Sequence, residues 1–368
     1  MAELIQPVAT VTEGPPNIDT ILKAALALFD NGFCVIPDEY RTKRPDPQLK
    51  DWPRQRLTRE QIKQTFSSKR YNIGVPWGPA SDWRVDIDLD TEEAVRAAPF
   101  FFPTTYTYGR KKRPNSHLIF KCEGAENKQY VFNNDEAKNI TLLEIRSSGT
   151  QSVVPPSIHP DNDQYCLAVP NYSIYTIGVN ELIKGAERTV AAALFARCWD
   201  GNRHAKTLAL TGALLNAGWQ DKDVVMFVKA VVYTAQDEEA NDRKRACTDT
   251  IERYHEGAEN ITGWPTVSEY FGDAVVKKVR EWLCIKDGLQ LDDSEGLQTA
   301  EAAPWDAPKP VQAELSAVPA FNADALLPEP LYTWVLDEAY RMAKMPDYIA
   351  TAALAFLGSV IGTGCQQG

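Results

Sequence analysis

Residues 83–90 read Trp83-Arg84-Val85-Asp86-Ile87-Asp88-Leu89-Asp90, with acidic and apolar side chains alternating without a break. A period of two is the period of a β-strand, so Val85, Ile87 and Leu89 are predicted to enter a core while Asp86, Asp88 and Asp90 share the opposite face. Carboxylates about 7 Å apart along one strand repel unless something positive lies between them. Mg²⁺ or Mn²⁺, with their preference for hard oxygen ligands, would meet that need. Alone, the triplet equally suits an edge strand with a wet acidic face.

Working outward, further short runs between Gly, Pro, Asn and Asp predict strands at 72–76, 104–108, 117–121, 141–146, 151–154 and 164–168. Upstream, 18–33 shows helical spacing up to Gly32, FCVIP (33–37) reads as a strand, and Thr58 is placed to cap a helix through Phe66. Helices are few here, so an α+β domain over 18–180 is expected, behind a loose arm at 1–17. From 186 the pattern turns helical to about 285. Residues 286–320, rich in Asp, Glu, Ala and Pro, read as a linker. Amphipathic helical character resumes over 321–368, where the sequence is expected to break off inside a larger protein.

Composition bounds the function. The chain has 368 residues, 44% apolar and 24% charged, with a net charge of -11. Residues 1–185 hold 22 Lys and Arg against 23 Asp and Glu, so most of the excess acidity lies in the second half. Within the first half, 38–70 carries ten basic and five acidic residues, including Lys43 and Arg44. Arg110-Lys111-Lys112-Arg113 is an unbroken basic run, either a nucleic-acid contact or a solvated turn. Seven scattered cysteines without a CxxC pair argue against a zinc site or a disulfide framework. No signal peptide or membrane-length apolar run is present, so a cytoplasmic protein is expected.

Other side chains join the acidic strand as candidates. Leu142-Leu143-Glu144-Ile145-Arg146 places Glu144 and Arg146 on one strand face, where Glu144 could be a third carboxylate and Arg146 could grip a phosphate. His117, in Asn115-Ser116-His117-Leu118-Ile119-Phe120, enters a strand from a polar turn and could donate to a triphosphate. Val153-Val154-Pro155-Pro156-Ser157-Ile158-His159-Pro160 ends a strand in a stiff turn that displays Ser157 and His159. Each of these also has a purely structural reading: an ordinary surface pairing, a hydrogen-bonded histidine, a rigid turn.

Their order carries more. YNIGV followed by WG, then VDID, SHLIF, LEIRSSG and VVPPSIHP, with Lys43-Arg44-Pro45 and Trp52 upstream, resembles the bifunctional primase-polymerases (prim-pols) of the archaeo-eukaryotic primase superfamily. These enzymes occur in phages, plasmids and integrated elements. The resemblance covers about residues 18–170. It implies an RRM-like catalytic core, with divalent metals on Asp86, Asp88 and Glu144 and the incoming dNTP or NTP phosphates on His117. Arg146, Ser157 and His159 resemble further pocket residues, and Asp90 leaves the register of the first acidic pair open. Asp200-Gly201-Asn202-Arg203-His204, Asp237-Glu238-Glu239 and Gly263-Trp264-Pro265 resemble the helical domains that follow prim-pol cores, which implies help in binding template and first nucleotide; a plain helical spacer is the other reading. Residues 325–368 resemble the lead-in to a helicase-like ATPase module, though no G-x-x-x-x-G-K-[ST] loop occurs.

The implied activity is primer synthesis and extension on single-stranded DNA by two-metal nucleotidyl transfer. Trp52, Tyr71, Trp77 and Tyr108 are candidates for stacking on template bases, or for the core. The rival readings are a non-catalytic replication initiator or nucleic-acid-binding module, and a metal-dependent nuclease. A rolling-circle nicking enzyme is disfavoured by the lack of a His-x-His pair.

Overall fold

The computed structural model describes residues 3–4, 15–133, 139–168, 173–258, 260–285, 327–329, 331–342 and 349–354. The expected linker at 286–320 lies outside the described residues, as does most of the expected arm and of the stretch 321–368. The chain divides into two units, Met1–Gln290 and Leu291–Gly368.

In chain order the first unit contains β1 (Glu3–Leu4), α1 (Ile18–Asp30), β2 (Ile36–Glu39), α2 (Arg59–Ser68), β3 (Tyr71–Pro76), β4 (Arg84–Leu89) and α3 (Glu92–Ala97). Then come β5 (Tyr106–Arg110), β6 (Arg113–Lys121), β7 (Lys128–Phe132), β8 (Ile140–Arg146), β9 (Gln151–Val154), β10 (Tyr165–Leu167) and β11 (Ser173–Thr176). Helices α4 (Val179–Arg197), α5 (Arg203–Asn216), α6 (Asp221–Thr234), α7 (Ala240–His255), α8 (Trp264–Phe271) and α9 (Asp273–Trp282) complete it. The second unit contributes α10 (Leu331–Met342), where Val335 packs with Leu327 and Ala350.

Local chemistry explains the first elements. Asn17 caps α1 by accepting the Thr20 amide, and Ile21, Ala24, Ala25 and Leu28 form its buried stripe. Thr58 and Gln61 close both halves of a capping box on α2, worth about 1 kcal/mol. The strand expected at 33–37 begins at Ile36; Phe33 and Val35 are buried ahead of it.

The larger sheet runs β1-β11-β6-β4-β8-β7, with β5 also on β6 and β10 on β5; its pairings are antiparallel except β11 with β6. A smaller antiparallel sheet runs β2-β3-β9. The fold is thus mixed α and β, with antiparallel pairing dominant. Val85, Ile87 and Leu89 of β4 join one continuous core with α4, α5, α6 and α9. The opposite face shares a second core, through Tyr106, Tyr108 and Ile119, with α1, α2 and the smaller sheet.

Helical structure starts at Val179, ahead of the expected 186, and passes through Gly185. A Cβ at 185 would lie 2.7 Å from Phe102 Cε1, so this glycine serves close packing against the aromatic ring and does not end the helix. Strands β7 and β11 and helix α3 were not anticipated. No helix among the described residues is long and apolar enough to cross a membrane.

One buried acid lies apart from the main sheet. Asp38 is fully buried against Gly74, where a Cβ would come 2.5 Å from Asp38 Oδ1. Burial, partly offset by the Gln151 side chain, pushes its carboxyl up to about 8 from 3.8. Between those values the folded chain keeps a proton that the unfolded chain has released, so stability falls as pH rises through that window. Asp38→Asn removes this titration. Its melting temperature relative to the native protein is expected to climb from pH 5 to pH 8, a gain on the order of a few kcal/mol. A difference that stays flat with pH would show that Asp38 is ionised in the folded protein.

Candidate active site

Register assembles the site. Asp88 of β4 lies directly opposite His117 of β6 on one side and Glu144 of β8 on the other. The same row continues to Tyr108 of β5 and Gln129 of β7. The next row places Asp86 between Ile119 and Arg146. Residues directly opposite one another in antiparallel strands project to one face, so five separated segments deliver their side chains to a single surface.

Arg146 is the cation inside this cluster. Its Nη2 lies 2.6 Å from Asp88 Oδ2 and 2.7 Å from Glu144 Oε2, and its Nε donates to Glu144 at 2.9 Å. These carboxylates hold the guanidinium fully charged despite burial. Gln129 Nε2 donates to the other Glu144 oxygen at 2.7 Å. Burial would raise Asp88, but His117, Arg146, Lys43 and Arg113 together bring it below the usual carboxylate range.

His117 is fixed in two directions. Its Nδ1 lies 3.2 and 3.1 Å from the Asp86 oxygens and 3.6 Å from Asp88 Oδ1. Its ring stacks on Tyr108 at 4.5 Å with an 8° interplanar angle. Burial pulls the imidazole down, yet the Asp86 and Asp88 carboxylates more than offset it and raise its pKa.

Three carboxylates form a set suited to a divalent cation. One oxygen each of Asp88, Asp90 and Glu144 lies within 4.8 Å of the others. Three hard anionic oxygens fit Mg²⁺ or Mn²⁺, while the donor set has no thiolate or imidazole to favour a softer ion. Asp86, expected among the ligands, is not in this set; its carboxylate turns instead to His117 and Ser152. Asp90, just beyond the strand end, completes the group. Burial, then Asp88 and Glu144, push its carboxyl up to about 6.

The remaining candidates separate. Arg110 and Arg113 flank the turn of the β5–β6 hairpin: Arg110 Nη1 reaches His159 Nδ1 at 3.1 Å, and Arg113 lies 3.9 Å from Asp90. Lys111 and Lys112, at the tip, are exposed, as are Lys43 and Arg44. The Lys43 charge nevertheless acts on both Asp88 and His159. His159 is lowered by burial and by Arg110 and Lys43. Ser157 is not displayed: it is buried, and its hydroxyl accepts the Ile73 amide at 2.8 Å. Tyr71, Trp77 and Tyr108 are core residues and cannot stack on bases; Trp52 is half-buried. Ser152, Gln129 and the stacking role of Tyr108 were missed, since nothing in their local sequence marks them.

Residues 25–177 match the Prim-Pol family model, "Bifunctional DNA primase/polymerase, N-terminal". The matched stretch contains every residue of the acidic cluster, His117 and the basic hairpin. At the level of the family, the match supports DNA primase/polymerase function, nucleotidyl transfer and dependence on a metal ion. No curated protein matches the chain.

A cation held by all three carboxylates would require Asp90 to shed its proton. Mn²⁺ affinity, measured by titration without nucleotide, is therefore expected to fall about tenfold from pH 7 to pH 5. An affinity flat over that range would remove Asp90 from the ligand set.

Proposed function

We propose that the chain makes and extends primers on single-stranded DNA by two-metal nucleotidyl transfer, with residues 25–177 as its catalytic part. The observation that carries this reading is the row His117–Asp88–Glu144 across three adjacent strands, which sets carboxylates suited to a cation beside an imidazole suited to a phosphate. A mainly antiparallel sheet with the acids on one face and helices packed behind the other is also the arrangement expected of an RRM-like polymerase core.

In this reading Asp88, Asp90 and Glu144 hold Mg²⁺ or Mn²⁺. Ions held there would supply Lewis-acid activation of the primer 3′-hydroxyl and charge neutralisation at the pyrophosphate leaving group. His117 and Arg113 orient the triphosphate of the incoming dNTP or NTP. Arg146 keeps the acidic group charged and in place, and it gives up part of its carboxylate pairing to phosphate when substrate enters. Lys43, Arg110 and His159 line the approach, while Arg44, Lys111 and Lys112 lie along the template backbone. Ser157 takes no part in nucleotide binding; it braces the Pro155–Pro156 turn against β3. The helices from Val179 onward assist template binding during replication of a phage or other mobile element.

Incubation with labelled dNTPs and NTPs, on both a primed and a primer-free single strand, is expected to yield product with Mn²⁺ or Mg²⁺. Asp88→Ala and Glu144→Ala should each cut incorporation by about a hundredfold or more while the protein stays folded. His117→Ala should weaken nucleotide binding more than template binding. Full-rate synthesis by a folded Asp88→Ala, Glu144→Ala double variant would overturn the assignment. Template degradation without nucleotides would favour a nuclease, and template binding without product a non-catalytic module.

A further inference from the structure

We propose that Asp86 holds no metal and instead, with Ser152 and Trp77 behind it, positions His117 so that Nε2 faces the triphosphate. The proposal rests on the nucleotidyl-transfer reading for what His117 meets, and on the geometry alone for what Asp86 does.

Asp86 is fully buried, and its oxygens are already engaged. His117 Nδ1 approaches both, and the Ser152 hydroxyl donates to Oδ2 at 2.5 Å. A serine hydroxyl has one proton to give and two lone pairs to fill. With its proton on Asp86, Ser152 Oγ accepts from Trp77 Nε1 at 2.9 Å and from Arg146 Nη1 at 3.2 Å. Trp77 is itself buried, edge-on to Phe33. The result is a directed chain from indole to hydroxyl to carboxylate, met by the imidazole from the other end. It begins on the smaller sheet side, where Ser152 sits on β9, and ends on the larger sheet.

This chain fixes the ring within its plane, while the stack on Tyr108 fixes it from one face. Two perpendicular restraints leave the imidazole little freedom. A carboxylate at Nδ1 keeps the proton on that nitrogen, so Nε2 is the ring atom left for substrate. The oxygens grouped closely enough to share a cation, by contrast, belong to Asp88, Asp90 and Glu144. If Asp86 turned toward them, the Ser152 proton and the histidine would both lose their acceptor. Asp86, Ser152 and Trp77 are positioning residues, since none of them touches the reacting atoms.

The test compares Asp86→Asn, Ser152→Ala and Ser152→Thr with Asp88→Asn. Three quantities are read: Mn²⁺ affinity without nucleotide, KM and kcat for dNTP, and the ¹⁵N signature of His117. Asp86→Asn and Ser152→Ala should raise the KM for dNTP about tenfold while Mn²⁺ affinity stays at the native value. Ser152→Thr, which keeps the hydroxyl, should restore the KM. Asp88→Asn should lose Mn²⁺ binding. The His117 ¹⁵N signature should show Nδ1 protonated in the native protein and change in Asp86→Asn. Loss of Mn²⁺ affinity in Asp86→Asn to the extent seen in Asp88→Asn would overturn the proposal, as would an unchanged ¹⁵N signature. Should Asp86→Asn fail to fold, Ser152→Ala decides through its KM and Mn²⁺ affinity. If the native protein incorporates no nucleotide, the polymerase reading fails, while the Mn²⁺ and ¹⁵N measurements still decide the place of Asp86.

Discussion

The site depends on how β4 is registered between β6 and β8. Side chains on a strand alternate with period two, so one residue of slippage would send Asp86 and Asp88 into the apolar core and bring Val85 and Ile87 to the polar face. The packing of Val85, Ile87 and Leu89 in the apolar core excludes that slip, because the same displacement would take all three out of it and put carboxylates in their place. Hydrophobic burial on one face therefore holds like charges together on the other, about 5 Å from their cross-strand neighbours. Arg146 makes the arrangement tolerable by placing positive charge among the acids, and His117 Nδ1 gives Asp86 a polar partner at 3.1 Å.

The two sheets meet at that polar face. The larger sheet brings the acids and His117, while β9 of the smaller sheet brings Ser152 and the turn after it brings His159. The Trp77–Ser152–Asp86 contacts and the Asn72 hydrogen bonds to Ile158 fasten the smaller sheet and its turn beside the site. The surroundings of the acids are set by residues up to 66 positions away in sequence. Charge near the acids is also graded: Arg146 lies among them, Arg113 at their edge and Lys43 farther out.

Much of this was legible in the sequence. Strict alternation over 83–90 gave the central strand and its two faces, and the capping residues at Thr58 gave a helix start. The spacing of Glu144 and Arg146 placed both on one face. Other features had no local signature. β7 begins with Lys128 and Gln129, which read as loop, and its partner β8 supplies the reason for it to be a strand. Tyr71, Trp77 and Tyr108 look alike as stacking platforms or core, because aromatic residues serve both and only the second sheet covers them. The turn of Asp86 toward His117 and Ser152 could not be read from a DxDxD run, where three acids are equivalent until Ser152 arrives from β9. Ser157 was misjudged for a related reason: a hydroxyl in a stiff turn looks available until the amide of Ile73 is found beside it.

The back of the larger sheet has a practical consequence. Phe102 rests on Gly185, Tyr130 meets Trp282 edge-on, and Ile145 and Phe120 belong to the same apolar mass as Val190 and Phe227. A fragment trimmed at residue 177, where the family match ends, would lose that covering and leave a broad greasy surface in water. Such a fragment would clump. The helices from Val179 to Trp282 therefore share one hydrophobic core with the sheet that carries the acidic cluster.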